Sequence, residues 1–248
     1  MITVASGKLW PAASVRSVGS SFLHAKNLIS LKLPFVDRFQ TTLSFPKRLF
    51  KLQIRAKRTE STSSSLGSRA PFLKLPEPLT GKVWKLDDFE SYPALLVMFI
   101  CNHCPFVKHL KIDIVKLSNF YMKKGVAVVA ISANSITTHP QDGPKFMADE
   151  AKIYNYPFPY LFDESQDVAR AFRAVCTPEF FLYRKEGRRP FELFYHGQFD
   201  DSRPGNNTPV TGRDLSLAID CVLSGQQLTS LQKPSVGCSI KWHPNKSY

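Results

Sequence analysis

The chain has 248 residues, 43% of them hydrophobic, and a formal net charge of +13. Residues 1–58 hold eleven of the 33 Lys and Arg against one acid, Asp37, leaving 22 basic and 19 acidic residues beyond them, a net of +3. A folded part so nearly balanced has no basic face that demands nucleic acid. The longest apolar run, residues 94–100, is far short of the ~20 residues that span a bilayer, so neither nucleic acid nor membrane is an expected partner.

The N-terminal stretch reads as an address. It is rich in Ser and Thr, nearly free of acid and has no continuous apolar segment, the composition of an organellar transit peptide. Its first Arg is Arg16, with no early Arg-studded amphipathic helix. That favours a disordered plastid transit peptide over 1–56 and a stromal protein, with the mitochondrion as the alternative and a retained basic tail as the other reading. Ile54-Arg55-Ala56 resembles a stromal processing site, and 57–69 reads as a Ser/Thr-rich linker.

From residue 70 the punctuation is that of an α/β domain extending to 226, with 227–248 left as a tail. Residues 82–86 alternate as a short strand after the Thr80-Gly81 turn, an N-terminal β extension. Residues 94–100 form a strand buried on both faces. Val107, Leu110, Ile114, Leu117 and Tyr121 then recur at helical spacing, and Gly125 stops that helix. Residues 126–131 are a second apolar strand, completing a β-α-β unit. Asp142-Gly143 opens a polar helix through about Asn155, and 157–162 is extended. Asp163-Glu164-Ser165-Gln166 resembles a capping box ahead of a helix with Val168, Phe172 and Val175 on one face. Residues 179–183 and 191–195 bracket a hairpin turn at Gly187, and a helix over 213–224 ends at Gly225. The expected fold class is α/β, a mixed central sheet flanked by helices.

Five cysteines at irregular spacing do not suggest a secreted disulfide framework. One close pair, Cys101-Asn102-His103-Cys104, falls where the buried strand gives way to the helix. A helix start favours an anion, so a thiolate there is stabilised, and His103 adds a potential positive charge beside both sulfurs. Pro105 suits a first helical turn. The competing reading of the pair is a zinc site completed by Cys238 and His243; the β-α-β setting favours redox chemistry, and no metal or cofactor is expected.

At these residues the chain resembles the thioredoxin superfamily over about 68–226. The nearest likeness is the branch joining alkyl-hydroperoxide-reductase/thiol-specific-antioxidant (AhpC/TSA) proteins to membrane-tethered or periplasmic thiol reductases, here as a plant plastid-targeted member. The likeness rests on Ala70 through Leu75, on Gly81 through Phe89, on strand 94–100 with Cys101 through Phe106, and on Asp163 through Tyr183. Residues 198–204 and 237–242 resemble a narrower group of bacterial and plant thioredoxin-like proteins. The resemblance implies that Pro178 follows a cis peptide bond beside the dithiol and that the Thr177 backbone pairs with an incoming peptide. Two departures stand out. Strand 94–100 lacks the buried acid of thioredoxin, which leaves water or Glu179 to deprotonate Cys104. Where a peroxidase of this branch needs Thr or Ser, three residues before its reactive Cys, this chain has Cys101.

The function expected is thiol-disulfide exchange with an antioxidant role, Cys101 attacking and Cys104 resolving, supported by Asn102, His103, Thr177 and Pro178. Protein or small-molecule disulfides are the expected partners; the sequence does not name the electron donor, for which thioredoxin and glutathione systems are the candidates. A peroxiredoxin-like thiol peroxidase is the first alternative, and a zinc- or client-binding module without redox turnover is the second. Cys176 reads as a small buried residue or as a third redox thiol, and Cys238 as tail packing or as another redox thiol. Cys221 reads as packing, Arg203 as a turn salt bridge and His139 as loop structure.

Overall fold

The computed structural model describes residues 58–62 and 66–244. The transit peptide expected over 1–56, with its processing site, lies outside them.

The apolar run predicted to be a central strand is β4 (Ala94–Phe99), buried at every residue. Its alternating side chains feed two cores. Ala94, Leu96 and Met98 meet Val107, Leu110 and Ile114 of α1 (Pro105–Met122) and Leu215, Ala218 and Ile219 of α4 (Arg213–Ser224). Leu95, Val97 and Phe99 face Leu73, Phe172 and Phe181 on the opposite side. Each large side chain buried in this way contributes about 1.5–3 kcal/mol, so β4 is the structural axis.

Parallel pairing joins β4 to β5 (Val126–Ser132), and β5 to β6 (Tyr160–Phe162). On its other side β4 pairs antiparallel with β8 (Glu179–Arg184), which continues to β9 (Glu192–Gly197) as the expected hairpin. The five strands run β6-β5-β4-β8-β9, the mixed sheet expected from the sequence. Ahead of them β2 (Lys74–Pro76) and β3 (Val83–Lys85) form a separate antiparallel pair.

Three expectations fail, each for a tertiary reason. Residues 163–166 are not a capping box: Gln166 has φ +67°, and its amide nitrogen donates to the carbonyls of Ala133 and Lys241 at 2.7 and 2.9 Å. Asp163 accepts from the Ala169 N–H at 2.8 Å and the Ser165 hydroxyl from the Asp167 N–H at 3.2 Å. The helix that follows, α3 (Asp167–Phe172), stops at left-handed Arg173, so Val175 is not on its face. Parts of the expected linker and tail, residues 58–60 and 236–239, pair as strands. β1 (Arg58–Glu60), β10 (Val236–Ser239) and β7 (Cys176–Thr177) form a three-stranded antiparallel sheet, with β10 in the middle.

The apolar stripe of α1 is as read, but Lys111 and Ser118 are buried beside it. Lys111 is only 4% exposed because its ammonium pairs with Glu150 of α2 (Pro144–Ile153) and lies over the Tyr154 ring. Removing one partner strands the other charge. Lys111→Ala is expected to cost about 2–3 kcal/mol in urea unfolding, below the range for a fully buried pair because Glu150 keeps some solvent contact. Lys111→Met with Glu150→Leu is expected to recover most of the loss.

Candidate functional site

Cys101 follows β4 by two residues, and Cys104 is the N-cap of α1, with Pro105 at the first helical position. Both thiols are free and buried, 1% and 0% exposed. They converge on the loop that joins β7 to β8, where the Thr177–Pro178 peptide bond is cis. Cys101 Sγ lies 3.3 Å from the Thr177 hydroxyl, and Cys104 Sγ lies 3.1 Å from the Thr177 carbonyl oxygen.

The buried acid missing from β4 comes from elsewhere. Asp142 is fully buried in the turn before α2 and closes over the dithiol loop. Its Oδ1 accepts from the backbone N–H groups of Asn102 and His103 at 2.9 and 3.1 Å. Its Oδ2 lies 2.5 Å from His103 Nδ1 and accepts from Asn134 at 2.9 Å. Burial opposes the charge of Asp142, but the His103 and Asn134 hydrogen bonds outweigh it and hold the carboxyl below its ordinary value. An ionised carboxylate only accepts, so His103 Nδ1 is the donor and its proton points at Asp142. The same Nδ1 is 3.7 Å from Cys101 Sγ, so the ring stands beside the first sulfur while its proton is shared with Asp142. The His139 ring, expected to be plain loop, packs on His103 with centroids 4.7 Å apart. Asn102 is a positioning group: it donates to the Gln141 carbonyl and accepts from the Tyr160 hydroxyl at 3.1 Å.

These surroundings divide the two sulfurs. Burial pushes the Cys101 thiol well up, and its hydrogen bond to Cys104 and the Asp142 charge push the same way. Burial also opposes ionisation of Cys104, but its hydrogen bonds with the Cys101 and Cys238 thiols and the Val107 amide overcome it, so its pKa falls. The Thr177 carbonyl stands against a thiolate at Cys104 and is outnumbered. The helix start and these hydrogen bonds thus favour charge at Cys104 over Cys101.

The other candidates fall into place around this pair. Glu179 is not aimed at Cys104. Its Oε2 accepts from the N–H groups of Val175 and Cys176 at 2.8 and 3.1 Å, and its Oε1 lies 2.7 Å from His196 Nε2, a pair buried under the loop. Cys176 is fully buried, its sulfur 3.9 Å from the Pro178 and Ser235 carbonyls, and burial raises its pKa. Cys221 packs in α4. Arg203 spends its guanidinium on Gln198 and on the carbonyls of Asp200 and Ser202. Cys238 comes back from the tail to within 3.0 Å of Cys104 Sγ. The Cys₃His zinc set does not assemble, because His243 uses one ring nitrogen on Ser135 at 2.9 Å and the other on the Glu164 carbonyl at 2.8 Å. Cys101, His103 and Asp142 do bring ligand atoms within 4.8 Å of one another. Every one of the Asp142 oxygens is already engaged by the hydrogen bonds above, which argues against a cation there.

The AhpC/TSA family model matches residues 66–188. An uncharacterized conserved protein of Geobacillus kaustophilus is 46% identical, with a TM-score of 0.73, over 76% of this chain and 98% of its own. A hypothetical protein of Sinorhizobium meliloti is also 46% identical, with a TM-score of 0.72, over 75% of this chain and all of its own. The chain belongs to the AhpC/TSA family. No curated protein matches it. The AhpC/TSA assignment fits the thioredoxin-like mixed sheet and the position of the dithiol at the end of its central strand. It also exposes a difference in use: the Thr177 backbone edge, expected to receive a peptide, is paired with the chain's own Cys238.

Asp142 was legible only as a turn residue, since nothing in the sequence told of its burial or of its distant partners. Asp142→Asn is expected to lower the Cys101 pKa, read as faster alkylation near neutral pH. The depressed carboxyl gives stability that is present above its ordinary value of 3.8 and lost as pH falls through its folded value. The variant is therefore expected to be less stable than wild type at neutral pH and to converge on it in acid, as urea unfolding across pH will show.

Proposed function

We propose that this protein is a thiol-disulfide oxidoreductase with an antioxidant role, cycling Cys101 and Cys104 between dithiol and disulfide. The observation that carries the reading is the pair of buried thiols held against Thr177 of the cis-proline loop, one of them at the N-terminus of α1. Sequence position alone favoured Cys101 as the attacking sulfur. The surroundings favour Cys104, because burial and then Asp142 oppose charge on Cys101 while the helix start and its hydrogen bonds draw it to Cys104.

In the forward half-reaction the Cys104 thiolate attacks one sulfur of a target disulfide and expels the other as a thiolate. Cys101 then attacks Cys104 Sγ, its proton leaving with the second target sulfur. The target gains two electrons, and the protein is left with a Cys101–Cys104 disulfide. A thiol donor of the thioredoxin or glutathione class reverses the change. With both sulfurs buried and β10 on the Thr177 edge, compact disulfides fit the site better than an extended peptide.

Reaction with a chromogenic aromatic disulfide tests the assignment. Cys101→Ser is expected to keep the first release of coloured thiol within about threefold of wild type, whereas Cys104→Ser slows it on the order of 10²-fold. The opposite ranking would return the attacking role to Cys101. Failure of wild type to form a Cys101–Cys104 disulfide by peptide mapping would falsify the redox reading itself.

A further inference from the structure

Three thiols meet at the N-terminus of α1. Cys238 is 1% exposed, with its Sγ 3.0 Å from Cys104 Sγ, 134 residues away in the chain. It is held there by backbone. β10 pairs with β7 so that Cys238 lies opposite Thr177, and the Ile240 N–H donates to the Val175 carbonyl at 3.0 Å. Beyond β10, the Lys241 N–H donates to Asn134 and the His243 N–H to Gln166, at 2.8 and 2.9 Å. Gly237 makes the approach possible, because a Cβ there would lie 1.9 Å from the Thr177 carbonyl oxygen.

We propose that Cys238 is a third redox thiol of the site, forming a disulfide with Cys104 in competition with Cys101. The strand that carries Cys238 then takes part in the redox cycle of the dithiol. This rests on the oxidoreductase reading above and adds a second oxidised state to it.

The step is an internal exchange. Starting from the Cys101–Cys104 disulfide, Cys238 attacks Cys104 Sγ, a Cys104–Cys238 bond forms and the Cys101–Cys104 bond breaks. Cys101 leaves as thiolate and takes up the proton lost by Cys238, so no outside oxidant or reductant enters. Starting from a mixed disulfide on Cys104, the same attack expels the bound target thiol instead. Fixed proximity drives both versions. In the reduced site the hydrogen bond to Cys104 is the largest influence holding the proton on Cys238, followed by burial. Oxidation of Cys104 removes the first of these. The product bolts β10 to α1 across the cis-proline loop and leaves Cys101 free, so the redox state of the site decides whether the strand on the Thr177 edge is locked.

Oxidation of the full chain with diamide, followed by peptide mass spectrometry, tests this. Wild type is expected to yield both the Cys101–Cys104 and Cys104–Cys238 disulfides, and Cys101→Ser only the second, without dimers. Closing a loop of well over a hundred residues should raise the melting temperature of oxidised Cys101→Ser. Closing the short Cys101–Cys104 loop in Cys238→Ser should do much less. A mixed disulfide on Cys104 should also collapse at least about tenfold faster in Cys101→Ser than in the Cys101→Ser/Cys238→Ser double variant. Gly237→Ala, which forces β10 off the loop, should lose the Cys104–Cys238 product and keep the other. A wild type containing only the Cys101–Cys104 disulfide, together with equal mixed-disulfide lifetimes in the two variants, overturns the role of Cys238 and leaves the oxidoreductase reading standing. If Cys104 forms neither disulfide, both fail.

Discussion

Between Gly237 and the Thr177 carbonyl there is no room for a side chain: a Cβ would come within 1.9 Å of the oxygen and 2.5 Å of its carbon. That close passage of one backbone over another lets β10 sit beside β7, and the rest of the site follows from it. It brings Cys238 to Cys104, covers the edge of the cis-proline loop and gives β1 a strand to pair with. The segment is then fastened beyond the sheet by Asn134, Ser135 and Gln166. Gln166 adopts a left-handed backbone and spends its side chain on this clasp rather than on a helix cap.

Electrostatics at the dithiol run on a second long-range contact. Thioredoxin-like chemistry usually draws on an acid beneath the pair, and β4 is wholly apolar. Here the acid enters sideways from the turn before α2. Asp142 takes the N–H groups of the dithiol loop for itself and holds the His103 proton. Burial and this carboxylate both oppose a thiolate on the first cysteine, whereas the hydrogen bonds around the cap of α1 favour one on Cys104. A second buried acid, Glu179, ties down the N–H groups of β7 and its approach, with His196 stacked on Phe181 behind it. One acid sets the charge of the pair and the other the position of the loop facing it.

Much of the fold was legible because its signals are local. The apolar run of β4 and β5, the stripe on α1, the Gly125 and Gly225 stops and the hairpin around Gly187 each report a period or a backbone preference visible within a few residues. Cys101-Asn102-His103-Cys104 was legible as a site for the same reason: spacing, a strand before it and a helix after it. The errors cluster where a residue's partner is far away in the chain. Gln166 looked like a cap until Lys241 claimed it. Glu179 looked like a base until Val175, Cys176 and His196 used up its oxygens. Lys111 is buried only because Glu150, on another helix, pairs with it.

The sequence by itself determined a mixed α/β sheet with a dithiol at the end of its central strand, because hydrophobic period and helix-start chemistry are written in neighbouring residues. Only the tertiary structure decided which groups surround each sulfur and that a third thiol lies against Cys104. Both depend on contacts across dozens of residues, Asp142 to His103 and Cys238 to Cys104, that no local pattern encodes. Burial then gives those contacts their strength, since a charge or a thiol shielded from water feels its few neighbours and little else.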